Sequence, residues 1–166
     1  MKKFLVLILS SALLLTACNK AEDKKAERVQ VLKNLAERLP WFGDVKLMLA
    51  IALSKDQPEL ADQYFQESLD LKVKNLEKII GYLLAREKYA DAIPYYEKLI
   101  AGRADGDIYR IDLSKMYYLT GDLDKAIEQI NILNNKIPEA LKDYQDYVNM
   151  LTNDYQNQFT QEFKAP

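Results

Sequence analysis

Histidine is absent from this 166-residue chain, and cysteine occurs once, at Cys18. Without an imidazole the commonest general base and neutral metal ligand are missing, and with them the usual serine and cysteine triads. One cysteine excludes a disulfide within the chain. The five glycines form no phosphate-cradling loop, no G-x-S-x-G turn and no calcium loop. No apolar run reaches the ~20 residues of a bilayer span. No block of lysine and arginine points to nucleic acid or a phosphate-rich surface. Carboxylates remain plentiful, and glycoside hydrolysis needs only two, such as Glu67 with Asp70 or Asp143 with Asp146. Such spacings also arise on any solvated helix face, and both pairs are read that way.

What the chain does have is helical periodicity. Between Asp107 and Pro138 apolar residues recur at spacings of three and four on both sides of Gly121-Asp122. This predicts two short helices, with Gly121 ending the first, Asp122 or Asp124 capping the second, and Pro138 marking its end. A hairpin of this size has too little interior to stand alone, so neighbours are expected.

A shift of 34 residues lays Tyr117 on Leu83, Leu123 on Tyr89, Ala126 on Ala92, Ile130 on Tyr96 and Leu133 on Leu99. Leu113, Ser114, Gly121 and Pro138 complete the better copy, and Leu76, Ile79 and Ile80 the weaker one. A helix-turn-helix period of 34 with these residues resembles the tetratricopeptide repeat (TPR). Ala126 and Ala92 fall where the helices of each pair cross most closely, since a bulkier side chain there would force them apart. Met48, Leu49, Ala52, Ala61, Phe65 and Leu69 suggest a third copy upstream, its spacing to the next about three residues short. Arg110 stands in place of the motif's Trp, and Glu87 in place of its turn Gly. The resemblance implies an all-α, right-handed superhelix of about three antiparallel helix pairs, with N-terminal and C-terminal capping helices.

The amino terminus carries an address. Lys2 and Lys3 precede an apolar run from Phe4 to Leu15, in the order of a bacterial secretion signal. Leu15-Thr16-Ala17-Cys18 resembles the lipobox of bacterial lipoproteins, which implies removal of residues 1–17 and acylation of Cys18. A plain signal peptide cut after Ala17 is the alternative. Several acyl chains anchor firmly where one is marginal, at ~0.8 kcal/mol per buried methylene. Asn19, rather than Asp, follows the cysteine and resembles the outer-membrane address of enteric-type lipoproteins. Losing Lys2 and Lys3 takes the formal charge from -2 to -4.

Residues 18–28 read as lipidated cysteine and polar tether, and 29–166 as one helical-repeat domain with one elongated core. Val29, Leu32, Leu35, Ala36 and Leu39 form a stripe stopped by Pro40, after which Trp41 and Phe42 are expected to cap the core. Helices are predicted near 44–54, 58–71, 73–86 and 89–101, the last kinked at Pro94, followed by a loop over 102–106 and the third pair over 107–137. Leu141, Tyr144, Val148, Leu151, Tyr155, Phe159 and Phe163 continue an apolar stripe, as a last helix shielding the end of the stack would.

In proteins of the resembled family the first helix of each pair lines a concave groove through its second, fifth, ninth, twelfth and thirteenth positions. Those positions are Ile108, Ile111, Lys115, Tyr118 and Leu119 in the third pair, and Lys74, Glu77, Gly81, Leu84 and Ala85 in the second. The first pair adds Lys46, Ala50, Leu53 and Ser54. Such a groove suits an amphipathic helix or an extended apolar segment, with Lys46, Lys74 and Lys115 as carboxylate partners. The family's chaperone-tail clamp is not matched, because Ala50, Gly81 and Lys115 stand where its Asn would be. The resemblance implies no cofactor, no metal and no catalysis. It implies a periplasmic, outer-membrane-anchored adaptor for envelope proteins, as lipoproteins of this type serve as pilotins or as docking factors for wall hydrolases and assembly machines. A small carboxylate-dependent peptidoglycan hydrolase, and a stand-alone helical lipoprotein whose groove is either filled by its own last helix or paired with a second copy in a homo-oligomer, are the alternatives.

Overall fold

The structure, a computed structural model, describes residues 23–162, with side chains through residue 158. The signal segment 1–17, Cys18, the tether through residue 22, Phe163 and the side chain of Phe159 lie outside the described residues. Helix α1 covers 23–38. It is followed by α2 (Gly43–Leu53), α3 (Pro58–Asp70), α4 (Leu76–Ala85), α5 (Tyr89–Gly102), α6 (Arg110–Leu119), α7 (Leu123–Lys136) and α8 (Gln145–Glu162). Single stretches of 3-10 helix, Gly106–Tyr109 and Pro138–Tyr144, lead into α6 and α8. The described residues contain no strand.

Where the sequence suggests one elongated core, packing divides the chain into two compact units, one ending at Lys74 and one beginning at Asn75. The division falls where the repeat shortens: Ala92 and Ala126 are 34 residues apart, Ala61 and Ala92 only 31. All three alanines are completely buried, in keeping with their placement at helix crossings.

In the first unit α2 and α3 form an antiparallel hairpin. The sequence of α2 is apolar nearly all round, and Val45, Leu47, Leu49, Ala50 and Leu53 are all buried. Lys25 of α1 pairs with Asp56 just beyond α2 at 2.5 Å, so α1 runs back alongside α2. Its Val29, Leu32, Ala36 and Leu39 are half-buried. Trp41 and Phe42 do not cap this core: Trp41 is 69% exposed and Phe42 47%. The space beside them is taken by the segment after α3. A Cβ on Gly43 would lie 3.0 Å from both Leu71 Cβ and Val73 Cγ2, which leaves no room for a ring to turn inward.

In the second unit α4 pairs with α5 and α6 with α7. Asn75 caps α4 by accepting from the Lys78 N–H, and Asp122 caps α7 by accepting from the Lys125 N–H, both at 3.1 Å. Asp122 is therefore the cap of α7, and α4 starts three residues later than the predicted 73 because Asn75 supplies its cap. Helix α5 continues through Pro94. The third pair opens in 3-10 form rather than as α-helix from 107, because Gly106 lies against the backbone of Ile100.

The turns reproduce the period at the level of backbone angles. Gly121 has φ +84° and Glu87, 34 residues earlier, has φ +55°. Each closes its helix with the same pair of bonds: Lys88 N–H to Leu83 O and Glu87 N–H to Leu84 O, then Asp122 N–H to Tyr117 O and Gly121 N–H to Tyr118 O. A left-handed conformation costs a residue with a Cβ roughly 1–2 kcal/mol, and glycine's larger unfolded-state entropy offsets part of that. Glu87→Gly is therefore expected to stabilise the second unit by about 0.5–1 kcal/mol, read as a higher denaturation midpoint with unchanged slope.

Candidate functional site

Helix α6 is held by polar groups at both ends of its inner face. Arg110, in place of the expected Trp, donates from Nε to Asp107 Oδ1 and from Nη1 to Gln129 Oε1, each at 2.6 Å. Lys136 Nζ donates to the other oxygen of Asp107 at 2.8 Å. These two cations, Lys136 foremost, hold the Asp107 carboxyl below the usual range. The network lines a cleft of about 490 Å³ bordered by Ile100, Ala104 and Leu113. Ahead of it Arg103 donates to Glu77 Oε1 at 2.8 Å, and Tyr109 Oη donates to the same oxygen at 3.1 Å, joining α4 to the start of the third pair.

The middle of α6 is occupied by the C-terminal helix. Buried Ser114 donates from Oγ to the Ala126 carbonyl at 2.8 Å, tying α6 to α7 at their crossing. With its only hydrogen so used, Ser114 accepts from Tyr147 Oη at 2.9 Å. Tyr147 meets Tyr118 edge to face, ring centres 6.3 Å apart, and Tyr118 Oη donates to Asp154 Oδ2 at 2.8 Å. Lys115 Nζ sits 4.8 Å from the ring centre of Tyr144 and 3.3 Å from Asp112 Oδ1. Burial raises the pKa of Tyr147, and the Asp154 carboxylate raises that of Tyr118, so both hydroxyls keep their protons well above neutrality.

The sequence-derived groove positions separate accordingly. Lys115 and Tyr118 are half-buried: Tyr144 and Tyr147 face the Lys115 ammonium, and Tyr118 meets Tyr147 and Asp154 of α8. Ile111 is buried in the core and does not line a surface. Ile108 and Leu119, at the two ends, are 50% and 52% exposed. On α4, Gly81 is exposed with nothing within 4 Å of its Cβ position, Leu84 is half-buried and Ala85 exposed. In the first unit Ala50, Leu53 and Ser54 are buried, and Lys46 pairs with Glu67 of α3, so these positions are interior or engaged. Their burial follows from α2 having apolar residues on nearly every side. Lys74 is exposed in the loop before α4.

Tyr147 is the residue the sequence reading passed over. It precedes Leu151 by four and lies one turn beyond Tyr144, so the same helical spacing could have found it. Of the two carboxylate pairs, Glu67 is taken by Lys46 and Asp70 accepts from Gln66, while Asp143 and Asp146 stand exposed. Among the described residues no group of three or more His, Cys, Asp or Glu is gathered as metal ligands would be.

In the second unit, antiparallel hairpins stacked at a period of 34, with buried alanines at the crossings and an end helix laid over the last pair, define an all-α helical-repeat protein, a class whose surfaces bind other proteins. Residues 83–151 match the tetratricopeptide repeat family. The match runs from within α4 into α8, taking in the Ser114–Tyr147 pairing. A search of curated proteins finds no match to the chain.

Proposed function

We propose that this protein is a non-enzymatic adaptor, held by acylated Cys18 on the periplasmic face of the outer membrane, whose second unit recruits an envelope protein. The observation that carries the reading is the pair of large apolar side chains left exposed at the two ends of α6, Ile108 in the 3-10 segment leading into it and Leu119 at its last residue, while the centre of the helix is already satisfied. Gly81, Leu84 and Ala85 extend the available surface on α4 with small or aliphatic groups, the lining that an amphipathic helix or extended apolar segment fits. Pilotin-like and envelope-assembly roles are both of this kind. No helix among the described residues is long and apolar enough to cross a membrane, and under this reading the acyl chains anchor the protein there.

Two measurements test it. Metabolic labelling with a fatty acid should mark the wild type and leave Cys18→Ser unmarked. In cross-linked, detergent-solubilised membranes, Ile108→Asp combined with Leu119→Asp should lower recovery of the bound protein at least tenfold with helicity unchanged. Equal recovery by the double variant would overturn the proposed surface. The coverage of α6 by α8 favours a second reading, a self-filled helical lipoprotein, and recovery of the protein alone from the wild type would select it.

A further inference from the structure

The first unit carries an outward face that the adaptor reading does not use. Helix α1 shows two stripes. One, Lys25, Val29, Leu32, Ala36 and Leu39, faces its own unit, with Lys25 paired to Asp56 and the apolar four half-buried. The other, at the same spacings of three and four, is Lys24, Arg28, Val31, Leu35 and Arg38: three cations and two aliphatics, all exposed. Val31 is 52% exposed and Leu35 is exposed as well. Glu27, three residues from Lys24 and four from Val31, borders this stripe, while Asp23 and Glu37 fall on the remaining side of the helix. Trp41 and Phe42, both exposed, stand at the far end of α1.

We infer that this face lies flat on a lipid surface carrying anionic headgroups. The inference rests on the acylation of Cys18 proposed above. Only residues 19–22 separate Cys18 from Asp23, and five extended steps reach at most about 18 Å. The beginning of α1 is thus held within that distance of the headgroups, and α1 itself is only about 24 Å long. Cations flanking aliphatics, with a Trp and a Phe beyond, form the pattern of a helix lying in the interface: lysine and arginine reach the phosphates while the aromatic rings sit at headgroup level. The acyl chains would hold one end of α1 and Trp41 with Phe42 the other, setting the orientation of the first unit on the membrane.

Trp41 is the only tryptophan in the chain and serves as its own probe. The full lipidated protein is reconstituted into vesicles of phosphatidylethanolamine and phosphatidylglycerol at roughly three to one, with and without acyl chains brominated near the headgroup. Mass analysis of the amino-terminal peptide from the same sample reports the acyl state, so failure of the anchor is seen separately from failure of the docking. Trp41 emission is expected to shift to the blue and to be quenched at least twofold by the brominated lipid. Val31→Glu with Leu35→Glu, at exposed positions that leave helicity intact, should remove most of the quenching. Unquenched Trp41 in protein shown to be acylated would overturn the inference, as would quenching unchanged by the double variant. Blue-shifted but unquenched emission would assign the face to a protein contact and equally overturn it.

Discussion

Ala126→Trp is expected to destabilise the second unit by about 3 kcal/mol or more, with Ala90→Trp on the exposed side of α5 changing stability by less than about 0.5 kcal/mol. Ala126 is completely buried, and the carbonyl it contributes accepts the Ser114 hydroxyl from α6 at 2.8 Å. The two helices therefore approach here at side-chain-to-backbone distance, and an indole can enter only by separating them. Separation breaks the Ser114 bond, and because Ser114 also accepts from Tyr147 it loosens α8 from α6. The loss should show in amide exchange of α6 and α7 and in the denaturation midpoint. Because the chain has two units, the effect belongs to one of them, and exchange in α2 and α3 should be unchanged.

Gly106→Ala should cost about 3 kcal/mol, against no loss for Gly102→Ala four residues earlier. A Cβ on Gly106 would stand 2.3 Å from the Ile100 carbonyl oxygen and 2.8 Å from its Cα. Both are backbone atoms, which cannot swing aside as a side-chain end could. Relief requires the chain between α5 and α6 to shift, and that chain carries Arg103, Asp105 and Asp107. The Glu77 contacts of Arg103 and Tyr109 and the Asp107 links to Arg110 and Lys136 would then be disturbed together. At Gly102 nothing lies within 4 Å of the Cβ position, so alanine is accommodated. If the two substitutions cost the same under urea denaturation, the close approach at Gly106 does not constrain the fold. Since Ile108 rides on this segment, Gly106→Ala should also weaken partner recovery without altering any exposed side chain.

The helices were legible from residues close together in the chain. Asp122 caps, Gly121 turns left-handed, Pro40 ends α1, and Ala92 and Ala126 mark the crossings, because each acts through atoms within a few residues of itself or through a period the chain repeats; the Asn75 cap, equally local, was missed. Even the departure at Glu87 was readable as a position, since the backbone angle there belongs to the turn. The groove was less legible. Counting positions along the third pair identified its inner-facing residues, yet Ile111 is core, Lys115 and Tyr118 belong to a contact with Tyr144 and α8, and only Ile108 and Leu119 stand open. Replacing Ile111 by Asp would accordingly test the core and not the surface.

The sequence by itself determined an all-α chain of helix pairs, the offset that relates them, their caps and their closest crossings, all of which follow from local backbone chemistry and helical period. Tertiary structure alone decided which faces remain outside. Residues 71–73 close over Gly43 and turn Trp41 and Phe42 outward, α2 buries Ala50 and Leu53 between its neighbours, and α8 sets Tyr147 against Ser114 and Tyr118. A helix period states which residues share a face, but whether that face meets water depends on elements distant in the chain, and so on packing that no local spacing encodes.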